Sequence, residues 1–183
     1  MAGPESGGAL TLLRNRSFAA VLAYRISVLL SYQIVAVTVG WHIYELTRDT
    51  FSLGLVGLAE VLPFFCVAPF AGYLVDHLPR RLLGIAACTA LATTALLLTG
   101  IAMFGTNQPP LWPIYAAIAL TGMARSFLSP VYNALFARVL ARSDFVRGAG
   151  LGSVIFQTGL VAGPALGGLL VGFAPERYAR ALL

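Results

Sequence analysis

The sequence predicts an all-α, polytopic membrane protein with five transmembrane helices, and three observations support this fold class. Of the 183 residues, 58% are hydrophobic and only 10% are charged, whereas about 25% of the residues in a soluble domain are charged. The mean hydropathy is +0.84. Apolar runs alternate with short polar turns, and the runs exceed the length of about 20 residues that a spanning helix needs. The lipid bilayer is therefore an expected partner.

The first span follows a short tail. Residues 1–16 are rich in glycine and polar residues, which predicts a flexible cytoplasmic tail. The apolar run from Ser17 to Leu46 is about twice as long as the hydrophobic region of a signal peptide, and it has no obvious small-residue cleavage site before its end. We expect this run to stay in the membrane as the first helix.

Four more spans follow in order. A polar turn at 47–50 precedes the second span, the turn at 105–110 contains helix breakers, and the turn at 141–147 is charged. These spans are expected at 52–75, 82–104, 111–140 and 146–173. Residues 17–173 would thus form one transmembrane bundle, with 174–183 as the start of an incomplete sixth segment.

The turn between the second and third spans is densely charged. Its sequence, GYLVDHLPRRLLG, contains Asp76, His77, Arg80 and Arg81. Because hydrocarbon tolerates such charges poorly, this turn must lie in water at a membrane surface.

The distribution of charge gives an orientation and excludes one partner. The net charge of +5 comes from arginine, since the chain has no lysine. The arginines form neither a basic face nor a pattern interleaved with base-stacking aromatics, so we do not expect nucleic acid as a partner. The positive-inside rule favours a cytoplasmic N-terminus. That orientation leaves only Arg48, Arg177 and Arg180 outside and places inside Arg14, Arg16, Arg80, Arg81, Arg138, Arg142 and Arg147.

Ionisable groups at membrane depth are functional candidates, because hydrocarbon tolerates them only beside a partner or a water-filled cavity. Arg25 could either snorkel to the cytoplasmic surface or face a cavity. Glu60 could be a proton or substrate site, or one member of a buried polar pair. Arg125 is expected close to the midplane of the fourth span, where it would face a polar central cavity. Gln33 is a weaker candidate, since such residues more often form hydrogen bonds between helices.

The fifth span contains the sequence GLVAGPALGG. Its glycines at four-residue spacing let another helix approach closely, and its proline removes one internal hydrogen bond. The pattern predicts a close-packed but bendable contact made by Gly159, Gly163, Pro164, Gly167 and Gly168.

Catalytic motifs are missing from the sequence. It has no zinc-protease signature, nucleophile elbow or phosphate-binding glycine-rich loop. His42 and His77 have no cysteine or carboxylate at metal-ligand spacing. We therefore expect neither an enzyme nor a bound metal or cofactor.

The charged turn and the glycine pattern resemble motifs of the major facilitator superfamily. GYLVDHLPRR is similar to the loop between helices two and three of that superfamily, and GLVAGPALGG is similar to the helix-five motif of its antiporters. His77 departs from the loop pattern, in which a permanent cation is usual, and Pro79 stands where glycine is common. The resemblance implies a gating role for Gly72, Asp76, Arg80 and Arg81.

Further stretches are similar to the multidrug and siderophore exporter branch: WHIYELT, LGLVGLAEVLP and GMARSFLSPVYNAL. Within the last of these, Arg125 resembles the helix-four arginine associated with proton coupling. The resemblance implies five helices of an N-terminal six-helix bundle, in a twelve-helix exporter of the bacterial inner membrane. Such a protein would export small amphipathic substrates such as drugs, macrolides or siderophores by alternating access, in exchange for protons.

Other functions stay open. The cavity of such an exporter needs a second bundle as its other wall, so we expect the 183-residue chain to be inactive without its missing C-terminal half or a second chain. One alternative is a truncated half-transporter with only a structural or partner-binding role in the membrane. A small intramembrane channel is another.

Overall fold

The computed structural model describes residues 9–104 and 110–173, and it assigns only helices and their connecting turns to them. All five long helices have the length and apolar composition needed to cross a membrane. The predicted fold class is therefore confirmed. The helices are α1 (Arg16–Thr47), α2 (Thr50–His77), α3 (Arg80–Phe104), α4 (Trp112–Val139) and α5 (Phe145–Phe173).

Two short 3-10 helices complete the described chain. Ala9–Arg14 forms the first, within the predicted tail, and Arg142–Asp144 forms the second, immediately before α5. The other predicted tail residues, 1–8, and the predicted sixth segment, 174–183, lie outside the described residues.

The turn between α1 and α2 shows how the sequence ends one helix and starts the next. Arg48 ends α1 with a positive φ of 52°. Asp49 then caps α2, because its carboxylate accepts hydrogen bonds from the backbone N–H groups of Phe51 at 3.1 Å and Ser52 at 3.0 Å. These hydrogen bonds hold the pKa of the Asp49 carboxyl below its usual value.

Proline sets the boundary between α2 and α3. Leu78, which precedes Pro79, has an extended backbone with φ −109° and ψ 160°, as expected for a residue before proline. The chain then re-enters a helix at Arg80. The charged turn predicted from sequence is therefore a short break between two long helices.

Two of the three main helix contacts are between helices that are not consecutive in the sequence. α2 packs along α4, α1 packs along α5, and α3 packs against α4. The hydroxyl of Tyr115 on α4 donates a hydrogen bond to the carbonyl of Ser52 on α2. Further along both helices, Gly122 lies against Glu60. Since the contacting residues advance from N- to C-terminus along both helices, α2 and α4 are parallel.

The interface between α1 and α4 has an apolar cluster at each end. One buried cluster contains Val39, Ile43, Ile114 and Ile118, and the other contains Phe18, Leu22 and Leu140. Between them lie the polar and aromatic residues of the candidate site. The outer surface of the bundle is apolar, as expected for lipid contact; among its most exposed side chains are Phe51, Phe65, Leu96, Trp112 and Val161.

Candidate functional site

An ion pair joins α2 to α4 at membrane depth. Arg125, near the middle of the 28-residue α4, donates a hydrogen bond through Nη1 to Oε1 of Glu60. The Arg125 side chain is 27% exposed and that of Glu60 is 17% exposed. Charges in such a position need compensation by a partner. The structure thus pairs two residues that the sequence singled out separately.

Aromatic rings from two other positions contact the same arginine. The guanidinium carbon of Arg125 lies 4.1 Å from the ring centroid of Tyr32 on α1 and 5.9 Å from that of Phe64 on α2. Cation–π contacts of this kind contribute about 0.5–2 kcal/mol, depending on how far they are desolvated. The Arg125 guanidinium is therefore in contact with α1 as well as α2.

A glycine allows the close approach of α2 and α4 beside the ion pair. A Cβ added at Gly122 would collide with the backbone carbonyl of Glu60. Because a backbone carbonyl cannot rotate away as a side chain can, only glycine fits at this point of α4.

Arg25 has a similar aromatic setting at another point along the α1–α4 interface, nearer the N-terminus of α1. Its guanidinium carbon lies 4.0 Å from the ring centroid of Tyr132 on α4 and 5.2 Å from that of Phe156 on α5. Arg25 forms no ion pair with any carboxylate of residues 9–104 or 110–173. The structure therefore places this arginine against two aromatic rings of the bundle.

The glycines of α5 pack against α1. A Cβ at Gly163 would lie 2.5 Å from the Cβ of Gln33, and one at Gly167 would lie 3.0 Å from the Cβ of Val37. Gly159 is also buried against α1. Gln33 thus contributes to the contact between two helices through the base of its side chain.

The last part of the glycine motif has a different environment. A Cβ at Gly168 would meet nothing within 4 Å, and Pro164 is partly exposed within α5. The close contact with α1 therefore involves three of the four glycines.

The predicted gating residues lie around the α2–α3 turn. Asp76 and Arg81 are exposed and Arg80 is partly exposed. Asp76 forms no ion pair with another described residue. A Cβ at Gly72 would meet nothing within 4 Å. Gly72 therefore makes no close helix contact within the described part of this chain.

The aromatic partners of the two arginines were not predicted from the sequence. A signal for two of them was present, because Tyr32 follows Arg25 by seven positions and Tyr132 follows Arg125 by the same interval. Residues seven positions apart share one face of a helix. Each arginine contacts the tyrosine of the other helix, so the two contacts are reciprocal between α1 and α4.

Five apolar helices with a charged pair between two of them define an integral membrane protein. A family model described as Major Facilitator Superfamily matches residues 21–181, and the chain belongs to this family. This match confirms the resemblance carried by the sequence motifs. The family is one of membrane transporters.

Curated relatives include efflux proteins. The chain is 22% identical to macrolide efflux protein A of Streptococcus pyogenes over 142 residues, which cover 78% of the chain and 35% of the relative. It is 33% identical to the class C tetracycline resistance protein of Escherichia coli over 116 residues, which cover 63% of the chain and 27% of that protein. An MFS-type transporter of Bacillus subtilis, YjbB, is 25% identical over 174 residues, 91% of the chain and 41% of the relative.

The matched region spans between 27% and 41% of the length of these relatives. No solved structure gives a significant match.

Proposed function

We propose that this chain is part of a proton-coupled secondary transporter that exports small amphipathic molecules by alternating access. The observation that carries the proposal is the ion pair between Glu60 and Arg125, held at membrane depth with Tyr32 against the arginine. A charged pair in this position is a candidate for a proton-linked switch, because one proton removes the charge of its acidic member.

The pair supplies a simple coupling step. With Glu60 ionised, its carboxylate accepts the Arg125 hydrogen bond and holds α2 and α4 together. A proton that enters from outside and binds Glu60 removes the negative charge and frees the guanidinium for other contacts. Release of this proton to the cytoplasm restores the pair. Substrate would leave the cavity during the part of the cycle in which the pair is broken.

The gate and the glycine contact complete the mechanism. Asp76, together with Arg80 or Arg81, would close the cytoplasmic side by charge-assisted hydrogen bonds to a second bundle. The open space beside Gly72 would admit a helix of that bundle. The glycine contact between α5 and α1 would let these helices shift during rocking. In this arrangement the protein lies in a bacterial inner membrane, and its N-terminus is in the cytoplasm.

The substrate class follows from relatives and from the site. Two relatives are named for macrolide efflux and tetracycline resistance, and a site of arginine, carboxylate and aromatic rings suits drugs, macrolides or siderophores that combine polar and apolar groups. The cavity needs a second bundle as its other wall. We therefore propose that the 183-residue chain alone does not transport.

Export from cells tests the proposal. The gene that encodes this chain, with the coding sequence that follows Leu183, is expressed in a drug-sensitive bacterium, and accumulation of a macrolide and a tetracycline is measured. Arg125→Ala and Glu60→Gln should each abolish proton-driven export. Thr99→Ala, on an exposed position of α3, serves as the matched control and should export normally. Normal export by both site variants with an intact proton gradient would refute the coupling role.

The same gene separates the alternative. A stop codon directly after Leu183 would favour a truncated half-transporter with a structural or partner-binding role. The purified 183-residue chain in vesicles is expected to show neither drug uptake nor ion conductance, and conductance would instead indicate a channel.

A further inference from the structure

The surroundings of Arg25 and Arg125 correspond residue by residue. Each guanidinium lies on a tyrosine of the opposite helix, at 4.0 Å and 4.1 Å respectively. Each also has a phenylalanine at a longer distance, Phe156 on α5 for Arg25 and Phe64 on α2 for Arg125. In both sites, therefore, one tyrosine and one phenylalanine lie beside the arginine.

The sites differ at one position. Glu60 precedes Phe64 by four residues and supplies the carboxylate that pairs with Arg125. At the corresponding position, four residues before Phe156, the chain has Gly152. A Cβ added at Gly152 would lie 2.6 Å from the hydroxyl oxygen of Tyr132 and 4.0 Å from Nη1 of Arg25. The guanidinium thus faces a glycine where the other site has an acidic residue.

The charge of Arg25 is consequently not neutralised by residues 9–104 and 110–173. A guanidinium at membrane depth is costly without an anionic partner. Its planar fork matches a carboxylate, with which it can form two parallel hydrogen bonds.

We propose that Arg25 binds a carboxylate from outside residues 9–104 and 110–173, as Arg125 binds the carboxylate of Glu60. The rings of Tyr132 and Phe156 provide apolar surface beside the charge, so the site favours a carboxylate joined to an apolar group. The ligand class is an amphipathic carboxylic acid. Binding is independent of transport, and only the further statement that such acids are exported rests on the proposed function.

Nuclear magnetic resonance tests binding on the purified 183-residue chain in neutral detergent. Arginine is labelled with nitrogen-15, and the Nε–H signals of Arg25 and Arg125 are assigned from Arg25→Lys and Arg125→Lys. The probe is sodium hexanoate, and hexylammonium chloride is the control of equal chain length and opposite charge. Hexanoate should shift the Arg25 signal saturably and leave the Arg125 signal nearly unchanged, because Arg125 already has a carboxylate partner.

Variants give the expected magnitude. Arg25→Gln should bind hexanoate at least about tenfold more weakly, since hydrogen bonds to a charged group contribute about 1.5–3 kcal/mol. Binding to the variant is followed by the line width of the hexanoate methyl signal. Arg25→Lys keeps the positive charge but loses the planar guanidinium that forms two parallel hydrogen bonds, and it should weaken hexanoate binding less than Arg25→Gln does. It provides the comparison if Arg25→Gln does not fold.

Acetate distinguishes two sources of the carboxylate. Acetate has the same functional group as an aspartate side chain and no apolar chain. Tighter binding of hexanoate than of acetate assigns the site to an amphipathic solute, whereas equal binding assigns it to an acidic side chain from another protein segment. No saturable shift at Arg25 with either acid, or an equal shift with hexylammonium, would overturn the proposal. Loss of export in Arg125→Ala with hexanoate binding retained would leave both proposals standing separately.

Discussion

The two arginine sites share an aromatic frame and differ in how the charge is compensated. Arg125 on α4 pairs with Glu60 on α2 and contacts the ring of Tyr32 on α1. Arg25 has the same kind of aromatic contacts but faces Gly152. Under the proposed function, a proton on Glu60 would break the first pair, whereas Arg25 has no carboxylate partner among residues 9–104 and 110–173. The two sites thus differ in whether an acid or a glycine lies four residues before the phenylalanine.

The helix pairs that carry the two sites differ as well, and this gives the largest expected effect. Gly122→Ala would drive a methyl group into the backbone carbonyl of Glu60, whereas Gly163→Ala would meet the Cβ of Gln33, which moves only with the backbone of α1. Overpacking costs about 1–3 kcal/mol, and we expect Gly122→Ala near the upper end and Gly163→Ala somewhat below it. Thermal unfolding in detergent measures both. Gly168→Ala, with open space around it, is the control and should not destabilise; equal losses in all three would contradict this difference.

Removal of each charge sharpens the comparison next. Arg125→Gln should destabilise the chain by about 2 kcal/mol, less than the roughly 3–5 kcal/mol of a fully buried pair, because both side chains are partly exposed. Arg25→Gln removes only aromatic contacts, and it should cost about 1 kcal/mol. Chemical unfolding of the purified chain gives both values. The double variant Glu60→Gln with Arg125→Gln should recover part of the loss, and no recovery would argue against an energetically coupled pair.

The ring of Tyr32, beside the Glu60–Arg125 pair, should contribute less to stability than the charges do. Tyr32→Leu should lower stability by about 1 kcal/mol, since it removes the ring that faces the Arg125 guanidinium. Tyr32→Phe keeps the ring and is the matched control, with a change below about 0.5 kcal/mol. The unfolding midpoint distinguishes the two variants. An equal loss in Tyr32→Phe and Tyr32→Leu would show that the hydroxyl, which both variants lack, is the important group and not the ring.

The smallest effect concerns the starts of α2 and α5. Hydrogen bonds lower the pKa of Asp49, so its contribution to stability is present above its unfolded pKa of about 3.9 and disappears as the pH falls through the lower folded value. The difference in unfolding midpoint between wild type and Asp49→Ala should therefore shrink between pH 6 and pH 3. Ala141, before the 3-10 turn that leads into α5, provides no side-chain cap, and Ala141→Ser should show no such pH dependence. A constant difference at all pH values would contradict the capping role.

The sequence was sufficient for the helices but not for their pairing. Hydropathy and turn residues predicted five spans whose limits agree with the observed helices within a few residues, because length and polarity alone decide what crosses a bilayer. Glu60 and Arg125 were each identified as charges at membrane depth. Whether Glu60 pairs with Arg125 or binds substrate stayed open, because residues 65 positions apart meet only through the packing of α2 on α4.

The surroundings of individual glycines were also only partly predictable from the sequence. The spacing of Gly159, Gly163 and Gly167 predicted a close contact, and the structure has one on α1. The same motif gave no sign that Gly168 would face away from it. Gly122, the first residue of GMARSFLSPVYNAL, makes the tightest approach to a backbone among the described glycines. That stretch did not predict it, because the contact depends on which residue of α2 lies opposite.

The pairing of α1 with α5 has a consequence for biosynthesis. Gln33 leaves the ribosome long before Gly163, and at about 5–20 residues per second the delay is on the order of ten seconds. Throughout that interval the side of the first helix that will later contact the fifth is exposed to lipid or to the insertion machinery. A chaperone or another helix that binds this surface temporarily during insertion would prevent incorrect association before the last described helix is synthesised.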